Sequence, residues 1–234
     1  MFLAIGCSIK PPQVNYSNYK IDTQSNIDST YIKLLMPYKD SLDKSMNEVI
    51  GFSVYGLFKK QPESTVGNFM TDAIKLMAEK KYNKKVDAAF VNFGGIRSYI
   101  PKGDITVGKI FELMPFDNLV VLQELSGIKL KAFINRVCEK GGWPVSQGLT
   151  YVIKDKTAIE ILINGIPIND NTVYTIANSD YIANGGDNCD MLKNIPKQNI
   201  NYLMRDALIE YTRLKTAEGK PIDAKLENRV IYGK

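Results

Sequence analysis

An α/β fold is predicted by three observations. Stretches with apolar residues at helical spacing alternate with short β-branched runs, and turn signals separate a group of strands late in the chain. With 44% hydrophobic residues among 234, the chain carries enough apolar material for one core, and one domain over residues 28–234 is expected. Residues 8–27, with Pro11 and Pro12 among Asn, Ser, Gln and Thr, lack apolar periodicity and read as a linker. From Tyr31 to Val49 the positions Ile32, Leu35, Met36, Leu42 and Met46 keep helical spacing, with Pro37 marking a kink or a new first turn. This helix is expected to pack along the domain edge. Val49 to Phe58 reads as a strand, and Gly67 to Lys81 as a helix with Phe69, Ala73, Leu76 and Met77 on one face and Thr65 as its cap. Val86 to Val91 is a buried strand that ends at a Gly-Gly loop, where α/β sheets usually bind ligands. Leu119 to Leu125 is a further strand, after which Ser126 caps a helix whose Leu130, Phe133, Ile134, Val137 and Cys138 form a stripe. Leu149 to Ile153, Ala158 to Ile163 and Thr172 to Ala177 read as strands in antiparallel pairing, and Asn201 to Leu214 as a last helix.

Composition excludes several chemistries. The chain contains no histidine, so Ser-His-Asp and Cys-His arrangements cannot be assembled from these residues. Cys7, Cys138 and Cys189 show no CxxC spacing, which leaves a structural zinc site almost without ligands and makes disulfide scaffolding an unpromising reading. Cys138 is expected in the core and Cys189 partly exposed. The net charge of +5 suits attraction of anionic phosphates and equally suits a solvated lysine-rich surface. No basic stripe with interleaved aromatics marks a nucleic-acid surface.

The opening MFLAIGC, followed by Ser8, resembles the end of a bacterial lipoprotein signal, with Cys7 as the lipidated residue. Its apolar run is far shorter than such a signal needs and no basic start precedes it. Residues 1–7 are therefore read either as a truncated signal whose true start lies upstream or as a chance match. On the first reading the protein is exported, membrane-anchored or periplasmic, and it meets the membrane only through the lipid.

Three loop signatures carry the candidate site: NFGGIR at 92–97, MPFDN at 114–118 and YIANGGD at 181–187. Phe116 and Tyr181 offer flat faces for stacking a base, or else are ordinary core aromatics. The glycines let the backbone approach closely, so that Asn92 and Arg97 can turn inward, and Asp187 offers an acceptor for hydroxyls.

Together with ESTVGN at 63–68, TVGKIFELMPF at 106–116 and GGWPVSQG at 141–148, these signatures resemble the C-terminal, substrate-binding domain of the 5′-nucleotidases over roughly residues 45–192. The resemblance implies a four-layer α-β-β-α fold with mixed sheets. It implies a nucleotide or nucleoside ligand, with Asn92 and the weaker candidate Asn118 at the base edge, Phe116 and Tyr181 on its faces, Arg97 on ribose or phosphate, and Asp187 on the ribose hydroxyls. Where that family often has an arginine three residues before Glu63, this chain has Lys60, which keeps the charge and loses the bidentate fork. In that family hydrolysis belongs to an N-terminal metallophosphatase domain with two metal ions, and its histidine-containing motifs are absent from these residues. The expectation is therefore a specificity subunit with no catalytic residue and no cofactor of its own, completed by a separate metallophosphatase chain that holds divalent metals. The alternative is a stand-alone ligand-binding lipoprotein.

Overall fold

The computed structural model describes residues 13–18 and 28–233. Cys7, the residue of the lipidation reading, and most of the expected linker lie outside the described residues. The chain divides into two compact units, residues 1–41 and residues 42–234. In the first, residues 13–18 have no regular structure, and helix α1 (Ser29–Met46) begins and then continues into the second unit without stopping at Pro37. None of its residues is buried, and Ile32, Leu35, Met36 and Leu42 are exposed.

The second unit continues with β1 (Val49–Ser53), α2 (Thr65–Tyr82), the short β2 (Ala88–Ala89), β3 (Gly103–Thr106) and α3 (Val107–Leu113). Next come β4 (Leu119–Ser126), α4 (Gly127–Glu139), β5 (Leu149–Lys154), β6 (Thr157–Ile163), β7 (Ile166–Pro167) and β8 (Val173–Ser179). The chain ends with α5 (Asp180–Ala183), α6 (Asp190–Lys193), β9 (Lys197–Leu203), α7 (Met204–Ala217) and β10 (Val230–Tyr232). A central sheet has the order β2-β8-β4-β9, a peripheral sheet the order β10-β5-β6-β7, and β1 pairs with β3. Both four-stranded sheets are mixed: β2 runs parallel to β8 and β10 parallel to β5, and the remaining ladders are antiparallel.

The central sheet is covered on both faces. Val120, Leu122, Ala89 and Ala177 face a core built with α2, α3 and α7, while Leu125, Ala88 and Ile176 face a second core with α4 and the peripheral sheet. Alternation along each strand sends successive side chains to opposite faces, which is why both sets are buried. Helix α4 packs against β4 and β8 on one side and β6 on the other. Its Phe133 sits edge-on between Phe90 and Trp143, with ring centroids at 4.8 and 6.1 Å.

Several expectations shift by residues, each for a physical reason. Ser64, not Thr65, caps α2, because its hydroxyl accepts from the Gly67 N–H while the Thr65 hydroxyl accepts instead from Phe58. Val86 to Val91 forms a ladder of only two residues, though Asp87 and Phe90 N–H groups still donate to Thr175 and Ala177 of β8. The third late strand leaves β5 and β6 for the central sheet, since its Ile176 and Ala177 need cover on opposite faces. Asn201 to Leu203, read as the start of a helix, instead belongs to β9, because pairing with β4 overrides the helical spacing and α7 begins at Met204.

The C-terminal segment is fastened by polar contacts. Arg229 donates from Nη1 and Nη2 to the two carboxylate oxygens of Asp72 on α2, at 2.8 and 2.7 Å, and from Nη1 to the Val145 carbonyl at 3.0 Å. Asp72 also accepts from the Gln147 N–H, and Ser146 accepts from the Ala89 N–H of β2. Glu63, buried, accepts from Asn68 and from the Glu227 N–H. ESTVGN and GGWPVSQG thus have structural work within this clasp.

The two halves of the Asp72–Arg229 pair are unequally exposed, 27% for the carboxylate and 5% for the guanidinium. Removing the carboxylate leaves a buried cation with only Glu227 beside it, whereas Asp72 left alone can be hydrated. Asp72→Ala is therefore expected to lower stability by about 3 kcal/mol, the low end for breaking a buried pair, and Arg229→Met by less. Urea unfolding would decide, and the reverse order would refute this account of the clasp.

Candidate functional site

The directions of the central strands bring four connections to one edge of the sheet. β2, β8 and β9 run toward that edge and β4 runs away from it, so the residues after β2, before β4, after β8 and after β9 emerge together. NFGGIR, MPFDN, YIANGGD and the start of α7 are those residues.

Asn92 precedes a turn of 3-10 helix at Phe93–Gly95 and is 8% exposed. Its Nδ2 donates to Asp187 Oδ2 at 2.8 Å. The Tyr181 hydroxyl donates to the other carboxylate oxygen at 3.1 Å and lies 3.3 Å from the Asp187 N–H, whose bond it accepts. Asp187 adopts the left-handed conformation, φ 52°, which aspartate tolerates better than most residues. The preceding Gly185, at φ 92°, requires the same region without a Cβ. At Gly186 a Cβ would stand 2.5 Å from the Tyr181 ring and 2.6 Å from the Tyr181 carbonyl, so the loop closes on this ring only with glycine there.

Phe116 and Asn118 enter from the α3–β4 connection. With Asn92, Gly94, Gly95, Tyr181 and Asp187 they line a cavity of about 290 Å³. Phe116 is 40% and Tyr181 46% exposed, which removes the reading of both as core aromatics. The Asn118 carbonyl accepts from the Met204 N–H, and the Leu119 N–H donates to Asp180 at the start of α5. The loops bearing Phe116 and Tyr181 are thereby tied to each other.

Arg97 does not line the cavity; its guanidinium lies 5.6 Å from the Phe116 ring centroid, on the rim. Lys60 is exposed and likewise outside the cavity lining. The cation that reaches the NFGGIR loop is Lys59, whose Nζ donates to the Ile96 carbonyl at 2.8 Å and sits 3.9 Å from the Phe93 ring centroid. Partial burial, and then the Arg97 charge, lower the Lys59 pKa from its ordinary value. The Lys-Lys doublet announces the charge in the sequence but not which side chain turns inward. Arg205, also unforeseen, holds the Phe116 and Asp117 backbone and side chain from α7.

The site does not fit a metal pair. Among the described residues, Asp187 is the one carboxylate lining the cavity, each of its oxygens is already bonded, and no three His, Cys, Asp or Glu side chains converge. Cys189, expected to be partly exposed, is fully buried in the second core with Leu192.

With this geometry established, the chain can be set beside known proteins. The family model for the 5′-nucleotidase C-terminal domain matches residues 46–194, well over half of the chain. The chain belongs to the 5′-nucleotidase C-terminal domain family. A trifunctional nucleotide phosphoesterase, YfkN of Bacillus subtilis, is 26% identical over 95% of the chain, which spans 16% of that protein. UshA of Salmonella pullorum is 27% identical over 82% of the chain, which spans 35% of its length. The crystal structure of a 5′-nucleotidase precursor from Thermus thermophilus superposes with a TM-score of 0.74 at 25% identity, covering 88% of this chain and 43% of that one. The chain thus spans less than half the length of each of these proteins, and the α/β fold with mixed sheets agrees with the 5′-nucleotidase C-terminal domain.

Burial raises the thiol pKa of Cys138 to about 12 and that of Cys189 to about 11, so neither is a thiolate near neutral pH. Iodoacetamide is expected to leave both unmodified in the native protein and to label both in denaturant. Peptide mass mapping checks this, and native labelling of Cys189 would show that the loop after β8 opens.

Proposed function

We propose that this domain grips the base and ribose of a nucleoside or nucleotide. It would act as the specificity part of a 5′-nucleotidase-type phosphohydrolase in nucleotide breakdown. The observation that carries the reading is the Asn92–Asp187–Tyr181 hydrogen-bonded set on the wall of the cavity that Phe116 also lines. A base stacked on Phe116 and Tyr181 would present its edge to Asn92 and Asn118. Each Asp187 oxygen keeps a free lone pair after its present bond, so the carboxylate can still accept from ribose hydroxyls. A cavity near the lower end of ligand-pocket sizes, about 300 Å³, suits this part of the ligand, leaving a phosphate to project past Arg97.

Hydrolysis on this reading belongs to a metal-bearing half on another chain, since the residues here offer it no ligand set. The larger lengths of YfkN and UshA support a division between a binding part and a further part. Export and tethering through Cys7 complete the proposal, resting on the MFLAIGC opening.

Calorimetric titration tests the binding role. Phe116→Ala and Tyr181→Ala are each expected to weaken nucleoside binding by about 1–3 kcal/mol, the range for base stacking on an aromatic. Asp187→Asn is expected to erase the preference for ribose over 2′,3′-dideoxyribose ligands. Equal affinity of the unaltered protein for both sugars, or no effect of either aromatic change, would overturn the reading.

A second experiment tests the division of labour. The purified chain with added divalent metal is expected to release no phosphate from nucleotides above background, and co-expression with a metallophosphatase chain encoded nearby to restore release. Turnover abolished by a substitution in this chain alone would refute the division. Lack of any complex, with ligand binding intact, would favour a stand-alone binding protein.

A further inference from the structure

The MPFDN loop has few tethers of its own. Met114 donates its N–H to Ile110, and the Asn118 carbonyl accepts from Met204. Between these ends, every hydrogen bond that the loop makes among the described residues goes to Arg205. From the first turn of α7, Arg205 donates through Nη1 to the Met114 and Phe116 carbonyls at 3.4 and 3.3 Å, and through Nη2 to Asp117 Oδ1 at 2.7 Å. Its guanidinium also lies 4.2 Å from the Phe111 ring centroid, on the helix that leads into the loop.

We infer that Arg205 is a positioning residue for the aromatic wall of the cavity, fixing Phe116 by gripping the chain before it, at it and after it. The inference rests on the reading of this cavity as a ligand site. Three features favour positioning over a merely stabilising ion pair. The Asp117 side chain is 81% exposed, and an ion pair with one partner in solvent adds little stability. Arg205 is nevertheless 8% exposed, and its Nε is buried without a hydrogen-bond partner, so the guanidinium is desolvated without being fully satisfied. Phe116 is 40% exposed, so packing alone restrains its ring less than that of a core aromatic. The planar fork serves the two carbonyls from one nitrogen and the carboxylate from the other, whereas a lysine offers its donors from a single nitrogen on a flexible stem.

The test uses the full chain labelled with fluorophenylalanine, with Phe116→Leu assigning the Phe116 fluorine resonance. In the ligand-free Arg205→Lys protein that resonance is expected to shift or broaden while the resonance of buried Phe133 stays in place. Nucleoside affinity is expected to fall about tenfold, within the range of one lost stacking contact. In a Phe116→Ala background Arg205→Lys should cost nothing further, because both act through one ring. Asp117→Ala, a change at an exposed side chain that spares the fold, should perturb the same resonance in the same direction to a smaller extent, and it decides the matter if Arg205→Lys does not fold. An unchanged Phe116 resonance in every variant that folds, or affinity losses that add independently, would overturn the inference. A resonance that moves in a protein with no affinity for nucleosides or nucleotides would uphold Arg205 and overturn the nucleotide reading instead.

Discussion

The fork between Arg229 and Asp72 is the contact on which the rest of the site is raised. It joins the chain's last strand to α2 and, through Val145 and Gln147, to the segment that follows α4. Ser146 in that segment takes the N–H of Ala89, the last residue of β2 and three before Asn92. The base of the NFGGIR loop is thus held from below by residues more than fifty positions away. With the guanidinium almost wholly out of water, salt does little to screen this pairing, unlike the many lysine pairs on the surface.

Above that base the polar groups of the cavity satisfy one another. Asp187 is oriented by Asn92 on one oxygen and Tyr181 on the other, and Tyr181 is pressed into place by a loop that tolerates only glycine at 186. Both carboxylate oxygens are thereby held in place, each with a lone pair to spare. Removal of either donor would leave the carboxylate short of a partner.

The sequence disclosed β1, α2, β2, β4 and α4 because each has one dominant periodicity and a nearby cap or turn, while β3 and α3, short and set between two loop signatures, went unread. It disclosed five of the seven candidate site residues as lining one cavity, since Asn92, Phe116, Asn118, Tyr181 and Asp187 lie in loops whose glycines and aromatics stand out against their surroundings. It misled where a choice depends on contacts distant along the chain. The β9 segment looks helical until β4 is beside it, and Lys59 cannot be told from Lys60 until the Ile96 carbonyl is placed. Arg205 gave no local signal at all: an arginine in the first turn of a helix reads as solvated, and only the loop it meets, eighty-eight residues earlier at Asp117, gives it a task.

The three connections that line the cavity lie at the same edge of the central sheet, while the two cores lie on its faces. The cavity lining and the two cores are consequently drawn from separate sets of residues. Substitutions among the exposed rim positions, such as Arg97, Phe116 or Tyr181, remove little buried apolar surface. The lining of the cavity can therefore be rewritten step by step while every intermediate still folds.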